Sequence, residues 1–164
     1  MSELSAQVRS ALDAAVSAIG GSARDGQIEM AEAVANALTD RHHLMVQAGT
    51  GTGKSLAYLV PALVHGRKVL VATATLALQR QLVERDLPAV VPALEKELGR
   101  EITYAIYKGV GNYICLQKMN ADEPDPDGEL LLEASYLEKV AKRLIAWAKT
   151  PGVSGDRDDA PEVD

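Results

Sequence analysis

The amino-acid sequence predicts an α/β domain built on a parallel β-sheet that is flanked by helices. Three short apolar runs alternate with helix-like segments: Leu44–Val46, Val69–Ala72 and Ile102–Tyr107. A glycine-rich loop follows the first run and leads directly into a helix pattern. Hydrophobic residues make up 47% of the 164 residues and aromatic residues only 4%. We therefore expect a core of aliphatic side chains, large enough for one domain of ordinary size.

Two amphipathic helices are predicted before the first apolar run. Apolar residues recur at helical spacing over Ser2–Ile19, and the pair Gly20 and Gly21 ends that pattern. After a short loop, the same spacing returns over Gln27–Leu38. Each helix is expected to bury one apolar face against the rest of the domain.

The later helices are predicted between the apolar runs. Lys54–His65 has a helix pattern that contains Pro61, which predicts either a kink or a helix end, and Gly66 closes it. Leu76–Arg85 is predicted to be helical, and Pro88 is a typical first residue for another helix that runs to Leu98. Helices in these positions complete the alternation of strand and helix that a parallel sheet requires.

The last third of the chain differs in composition from the first two thirds. Residues 1–119 carry 12 Lys and Arg against 11 Asp and Glu, whereas residues 120–164 carry 5 against 12. Residues 120–128 are predicted to form a linker, and 129–149 a helix with a broad apolar stripe. The acidic segment 150–164 is predicted to be disordered. The nearly neutral front part, 1–119, is the part that carries the motifs.

A phosphate-binding loop is the most specific motif in the chain. It has the Walker A pattern, except that alanine replaces the first glycine. Its residues are Ala48, Gly49, Thr50, Gly51, Thr52, Gly53, Lys54 and Ser55. The alternative is a plain Gly-Thr turn, but an apolar run before the loop and a helix pattern after it are the context that the motif requires. We expect nucleotide binding here.

Each residue type in this loop has a physical role. Glycines allow backbone angles that are closed to other residues, so that N–H groups can point at phosphate oxygens. The helix that follows presents its positive N-terminal end to the same anion. Lys54 is expected to reach the β- and γ-phosphates, and the Ser55 hydroxyl to bind Mg²⁺. Lys54 and Ser55 are therefore the predicted catalytic residues, with Mg-ATP as cofactor.

Three further groups of polar residues are weaker signals. Arg24 and Gln27 precede the loop, where a glutamine amide can pair with an adenine edge and an arginine can stack or bind phosphate. They are also ordinary polar residues for a helix start. The segment that follows the second apolar run carries hydroxyl and amide groups suited to phosphate contacts, or to a plain helix cap. Its residues are Thr73, Thr75, Gln79 and Gln81.

The third group is Lys108–Cys115, which contains the single cysteine of the chain. A lone cysteine beside apolar residues is usually just buried. One cysteine also allows no internal disulfide. No apolar run reaches the ~20 residues that span a bilayer, and no secretory signal is recognised. Together these observations predict a cytoplasmic protein that does not insert in membranes.

Taken in order, these segments resemble the DinG/XPD family of superfamily-2 DNA helicases. Arg24-x-x-Gln27-x-x-Met30 is similar to the adenine-reading segment of that family, and alanine at position 48 is normal in its phosphate loop. Thr73-x-Thr75-x-x-Leu78-Gln79-x-Gln81-Leu82 resembles the next motif, which is implicated in gripping single-stranded DNA. Lys108-Gly109 followed by Asn112-Tyr113-x-Cys115 resembles the segment with the first iron–sulfur ligand. The resemblance covers about Arg24 to Met119.

The resemblance implies a RecA-like P-loop NTPase fold and an ATP-dependent helicase that moves on single-stranded DNA in repair or replication. In that frame Gln27 reads adenine, Thr73 and Thr75 touch the DNA backbone with Gln79 and Gln81 nearby, and Cys115 holds a [4Fe–4S] cluster. Residues 1–119 then form the N-terminal part of the ATP-binding domain. The helix 129–149 begins the inserted iron–sulfur domain.

The chain also departs from the family pattern. A [4Fe–4S] cluster takes four thiolates and this chain has one, so the cluster is possible only in the intact protein. The Asp-Glu-Ala-His box is missing, since Asp122-Glu123 is the only Asp-Glu pair and precedes Pro124. We therefore expect a fold truncated before the Walker B strand, and a fragment that binds ATP but does not hydrolyse it.

Two other functions stay open from the residues. Another P-loop NTPase, such as a small kinase, needs an acid for Mg²⁺ and an acceptor pocket, neither of which the sequence shows. A non-catalytic nucleotide-binding module is the second alternative. The sequence does not specify the DNA structure, the polarity of translocation, the pathway or the oligomeric state.

Overall fold

The computed structural model describes residues 3–49, 51–119 and 134–162, which fall into two compact units, Met1–Ile106 and Tyr107–Asp164. The boundary lies 13 residues before the Met119 limit that the sequence predicts for the first domain. The linker prediction for 120–128 and the first residues of the predicted helix 129–149 lie outside the described residues.

The first unit begins with three helices close to their predicted positions: α1 (Glu3–Ala18), α2 (Asp25–Asp40) and α3 (Lys54–His65). Helix α2 packs against α3, and α1 packs against both of them. Pro61 lies inside α3 and is fully buried. The helix continues past it to His65, so Pro61 neither ends the helix nor separates it into two. Gly66 ends α3 in the left-handed conformation, as the sequence predicts.

A single helical run follows, from Leu76 to Leu98, where the sequence predicts two separate helices. It comprises α4 (Leu76–Gln81), a π-helical turn (Leu82–Asp86) and α5 (Leu87–Leu98). In the π turn the Leu87 N–H bonds to the Leu82 carbonyl, five residues back. Proline at position 88 has no N–H to donate to the preceding turn, and the π turn lies immediately before it.

The core of the first unit lies between α1, α2, α3 and α5. Its buried side chains are aliphatic, as the composition predicts: Val8, Ala11, Leu12, Ala15, Val16, Ala31, Ala35, Leu56, Ala57, Leu59, Val60, Leu82, Leu87, Val90, Val91, Leu94 and Ile102. Every one of these except Ile102 comes from a helix or from the π turn. The helices alone therefore supply most of the apolar surface that this unit removes from water.

The predicted strands are not present in the part of the chain that the structure describes. The three apolar runs have no strand geometry, and the single isolated β-bridge joins Tyr113 and Asp156. Most of their side chains are instead exposed, with 89% for Leu70, 96% for Met45 and 77% for Tyr107, whereas Ile102 is buried. A strand is stabilised only by a neighbouring strand, whereas a helix closes its own hydrogen bonds. The predicted strands are therefore not confirmed for these residues.

The described residues of the second unit, 107–119 and 134–162, contain two α-helices, α6 (Leu116–Met119) and α7 (Ala134–Ala148), and two 3-10 turns, Val110–Asn112 and Arg157–Asp159. Helix α7 lies inside the helix predicted for 129–149. The bridge between Tyr113 and Asp156 is reinforced by a bond of 2.9 Å from the Ile114 N–H to the Gly155 carbonyl.

In the acidic segment that was predicted to be disordered, some carboxylates contact nearby groups. Residues 150–162 are described, and Asp156 within them is only 6% exposed. The Asp156 side chain caps the following 3-10 turn by accepting from the Asp158 N–H at 3.0 Å. Composition alone predicts disorder because it counts charges, but here buried lysine and backbone groups satisfy the carboxylates.

Candidate nucleotide-binding site

The phosphate-binding loop has the backbone that its glycines make possible. Gly51 and Gly53 adopt the left-handed conformation, with φ of 75° and 74°. Gly53 is the N-cap of α3, so Lys54 and Ser55 are the first residues of that helix. The free N–H groups of the first turn are therefore available to an anion. Thr50, predicted to bind nucleotide, lies outside the described residues.

Side chains of the loop fold back on its own carbonyl groups. The Lys54 ammonium donates to the Ala48 carbonyl at 3.1 Å and also to the Gly49 carbonyl. The Thr52 hydroxyl donates to the Gly49 carbonyl at 3.0 Å. The cationic group that the sequence assigns to the β- and γ-phosphates is thus held at the beginning of the loop. Ser55 stands at the other end, at the start of α3.

Two residues at the start of α2 hold the backbone of this loop. Arg24 donates to the Gly51 carbonyl at 2.8 Å, and Gln27 donates through Nε2 to the Gly53 carbonyl at 3.0 Å. Gln27 is only 6% exposed. The structure therefore gives both residues a contact that the sequence did not predict, with loop backbone rather than with an adenine ring or a phosphate. One donor of the Gln27 amide is already used in this way.

Gln27 lies so close to Gly53 that a side chain at position 53 would force the glutamine amide to move. A β-carbon at position 53 would lie 2.9 Å from Gln27 Cδ and nearer still to Nε2. Glycine is thus favoured at position 53 by its left-handed backbone and by the space that the glutamine amide fills. The two residues are 26 apart in sequence, and the packing of α2 on α3 brings them together.

A cavity of about 670 Å³ opens beside the loop. Part of its lining comes from the loop and the residues around it: Gly51, Thr52, Gly53, Ser55 and Leu56, with Arg24 and Gln27. The rest comes from α1 and the turn after it, the end of α4, the π turn and α5; these residues are Val16, Ile19, Gly21, Ser22, Gln81, Arg85, Asp86, Ala89 and Val90. The volume is within the range of small-ligand sites, ~300–1,000 Å³. A nucleoside triphosphate therefore has room beside the loop.

The residues predicted to contact DNA fall into two groups. The Thr75 hydroxyl accepts from the Leu78 N–H at 3.2 Å as the N-cap of α4, and the Thr73 hydroxyl donates to the Thr75 carbonyl at 3.0 Å. Gln79 lies on α4. Gln81 instead lines the nucleotide cavity and donates to Asp86 at 3.0 Å. Gln81 therefore lines the cavity, whereas the hydroxyls of Thr73 and Thr75 bond to the backbone of their own segment.

In the second unit, Cys115 is exposed rather than buried, so its thiol is accessible. The described residues contain no group of three or more His, Cys, Asp or Glu side chains that could bind a metal ion. Because the chain has one cysteine, these residues do not fit an iron–sulfur cluster. The role predicted for Cys115 stays a prediction about a longer protein.

An ion-pair cluster holds the segment that contains Cys115. The buried Lys108 ammonium lies 2.5 Å from Asp156 and 2.6 Å from Asp158. Hydrogen bonds to Asp156 and then Asp158 raise the pKa of Lys108. The hydrogen bond from Lys108 lowers the pKa of Asp156, with a smaller contribution from the Asp158 N–H. The ion pairs of Lys108 therefore join residues 156–158 to the segment that carries Cys115.

A glycine-rich loop that leads into a helix, backed by a lysine and opening on a cavity of this size, defines a P-loop nucleotide-binding protein. The comparison with known families agrees. The sequence model of the DEAD/DEAH box helicase family matches residues 28–109, half of the chain. The chain belongs to the DEAD/DEAH box helicase family.

The chain is also similar to individual proteins named DinG and YoaA. The chain is 50% identical over 173 aligned positions to "ATP-dependent helicase DinG" of Mycobacterium tuberculosis, an alignment that covers 97% of the chain and 26% of the relative. It is 45% identical to "ATP-dependent DNA helicase YoaA" of Haemophilus influenzae, over 71% of the chain and 18% of the relative. It is 35% identical to "3'-5' exonuclease DinG" of Bacillus subtilis, over 70% of the chain and 13% of the relative.

These relatives are much longer than the chain, which spans about a quarter of the Mycobacterium tuberculosis helicase. No solved structure matches the chain significantly. Among the described residues, none of the helices combines the length and the apolar character needed to cross a membrane.

The sequence prediction missed the part of the cavity lining that α1, the π turn and α5 supply. Arg85 and Asp86 line the cavity from the π turn, and Val16 and Ile19 line it from α1 and the residue after it. No motif marks these residues, since they come together only through the packing of α1 against α3 and α5.

Proposed function

We propose that this chain is the ATP-binding portion of an ATP-dependent DNA helicase. The observation that carries the proposal is the built phosphate loop beside a cavity of nucleotide size, in a member of the DEAD/DEAH box helicase family. Lys54 and the loop N–H groups would hold the triphosphate, and Ser55 would give Mg²⁺ one oxygen ligand, with phosphate oxygens and water as the others.

Gln27 is proposed to read adenine with the part of its amide that faces the cavity. Its Nε2 donates to Gly53, and its Oε1 is suited to accept from the adenine amino group. Because the same amide contacts the phosphate loop and the cavity, base recognition and loop position would be linked through one side chain. Arg24, which donates to the Gly51 carbonyl, would likewise link ligand contact in the cavity to the position of the loop.

The sheet of the RecA-like fold is part of the same proposal. The three apolar runs would become parallel strands when the rest of a helicase domain is present, because their exposed side chains and backbone would then find neighbours. Their positions immediately before the phosphate loop, and before the threonine segment, are those that the family resemblance implies. The chain spans about a quarter of its relative, which supports the need for further segments.

Single-stranded DNA is the proposed substrate of the whole protein, with translocation driven by ATP. Thr73, Thr75 and Gln79 would contact its backbone. We expect the protein to act in the cytoplasm, where bacterial DNA and ATP are found together. Substitution of Thr73 by alanine should weaken binding of a fluorescent single strand to the full-length protein, whereas equal anisotropy titrations for both proteins would contradict the contact.

The experiment that tests the ATP proposal is calorimetric titration of the purified chain with Mg-ATP. We expect binding that Lys54→Ala weakens by at least about ten-fold, because a lost charge-assisted contact is worth ~1.5–3 kcal/mol. Lys68→Ala is the matched control, since Lys68 is an exposed lysine outside the loop and the cavity. Equal loss in both variants, or no ATP binding by the unsubstituted chain, would contradict the proposal.

ATP hydrolysis by the same purified chain is the second measurement. Turnover requires an acid on Mg²⁺ and a group that orients water, and the sequence of this chain lacks the Asp-Glu-Ala-His box. We therefore expect no ATPase activity from the chain alone, with or without single-stranded DNA. Mg²⁺-dependent activity that Lys54→Ala abolishes would show that the catalytic set is complete within these 164 residues.

A further inference from the structure

The cavity beside the phosphate loop is lined by a polar group that the proposed function does not use. Asp86, at the end of the π turn, lines this cavity together with Gln81 and Arg85. Its side chain is 16% exposed, so it is partly withdrawn from water. A nucleotide whose phosphates lie at the loop would extend its sugar and base into the rest of this cavity.

The π turn gives Asp86 its position. Residues five apart do not share a face of an α-helix, where neighbours are three or four apart. The wider π turn brings Gln81 and Asp86 together, and Gln81 Nε2 donates to Asp86 Oδ2 at 3.0 Å. Arg85 Nε donates to Asp86 Oδ1 at 3.1 Å. The carboxylate is therefore fixed in orientation on the cavity wall before any ligand binds.

The carboxylate still has capacity to accept hydrogen bonds. Two carboxylate oxygens offer about four lone-pair sites, of which the two contacts use one each. A group with a negative charge would repel phosphate, so a carboxylate on this wall suits a neutral donor. In a nucleotide the hydroxyls of the ribose are such donors, and they lie between the phosphates and the base. The apolar side chains of Val16 and Ile19 on the same wall suit the face of the base.

We propose that Asp86 accepts a hydrogen bond from the ribose hydroxyls of the bound nucleotide, so that the cavity selects ribonucleotides over deoxyribonucleotides. This inference rests on the proposed ATP-binding function. Gln81 and Arg85 act as positioning residues, since they orient the carboxylate. In a protein that works on DNA, such a contact keeps deoxynucleotides out of the motor.

The test compares the affinity of the chain for ATP, 2′-deoxyATP and 3′-deoxyATP, measured by calorimetry. We expect one or both deoxynucleotides to bind about ten-fold more weakly than ATP, the effect of one hydrogen bond to a charged group. Asp86→Ala should bring ATP down to the affinity of the deoxynucleotides and leave theirs within about two-fold. Asp13→Asn is the control, an exposed acid on α1 outside the cavity.

Each outcome bears on the inference. Equal affinity of the unsubstituted chain for all three nucleotides overturns it, and that measurement does not depend on whether a variant folds. A preference for ATP that persists in Asp86→Ala also overturns it, because another group then reads the hydroxyls. Both results leave ATP binding, and so the proposed function, intact. If no triphosphate binds to the unsubstituted chain, the proposed function fails and the inference fails with it.

Discussion

The helices of the first unit and the apolar runs between them have similar residue types but opposite exposure. Leu94 on α5 is fully buried, whereas Leu70 in the second apolar run is 89% exposed. A helix closes its backbone hydrogen bonds within itself, so it needs only one packed face. An extended run needs a neighbouring strand to satisfy its backbone. The comparison indicates that packed helices hold the phosphate loop in this chain, without support from a sheet among the described residues.

The largest expected effect comes from the same substitution, leucine to alanine, made once in a helix and once in an apolar run. Leu94→Ala should lower the free energy of unfolding by ~2–5 kcal/mol, because it leaves a cavity in the core. Leu70→Ala should change it by no more than ~0.5 kcal/mol, since the side chain is exposed. Urea denaturation followed by circular dichroism measures both. Equal losses would show that the apolar run is packed as firmly as α5.

The Leu70→Ala variant also tests the proposed sheet. In a full-length protein Leu70→Ala should become costly, because a paired strand buries its side chains. A cost that stays within ~0.5 kcal/mol there would contradict strand formation at this run.

The second effect concerns the junction between an extended segment and a helix, at Gly53. Gly53→Ala should destabilise the first unit by ~1–3 kcal/mol, since alanine is strained in the left-handed conformation and its β-carbon meets Gln27. Gly26→Ala, inside α2 with open space around it, should instead stabilise by ~0.5–1 kcal/mol. Thermal unfolding of the two variants checks the opposite signs. Two changes of the same sign would contradict this account of the loop.

The smallest expected effect is local and concerns residues 107–115 of the second unit, where Lys108 and Ile114 contact residues 155–158. The folded-state pKa of Asp156 lies below its ordinary value, so its pairing with Lys108 stabilises fully above the unfolded value near pH 3.9. That contribution is lost as pH falls through the lowered folded value. We expect the NMR amide signal of Ile114, which bonds to Gly155, to shift below about pH 4.

Asp156→Asn is the matched test of that assignment. The variant should show the low-pH position of the Ile114 signal at neutral pH, while Asp159→Asn, an acid of the same turn outside the Lys108 pair, should not. Signals that are the same in the original chain and in Asp156→Asn would rule out the ion pair as the support of this segment. The pKa of Glu32 in the first unit is also lowered, mainly by its hydrogen bond with Arg9, but Ile114 belongs to the other unit.

Sequence patterns predicted the helices well, because helical periodicity is local. The predicted limits of α1 and α3 agree with the structure within one residue, and the core is aliphatic as composition indicates. The sequence separated α4 from α5, since a proline is a common helix start. It did not show that the π turn before Pro88 keeps the two helices continuous.

The site was predicted only as far as it is contiguous in the chain. Residues 48–55 are found by their pattern, and Arg24 and Gln27 by a resemblance in spacing. The contacts of Gln27 with Gly53, and of Gln81 with Asp86, were not predictable, since each depends on how a helix packs or how a turn widens. Disorder was predicted for 150–164 because composition does not show that Lys108, about 50 residues earlier, binds its carboxylates.

The sequence by itself determined the phosphate loop, the helices around it and the family, because glycine spacing and helical periodicity are properties of neighbouring residues. Tertiary structure alone decided which side chains hold that loop and which residues line the cavity beside it. It also decided that the apolar runs stay without strand partners among the described residues. The physical reason is that a helix or a loop is stabilised largely by groups close in sequence. A strand, a buried ion pair and a cavity wall all depend on groups that only folding brings together.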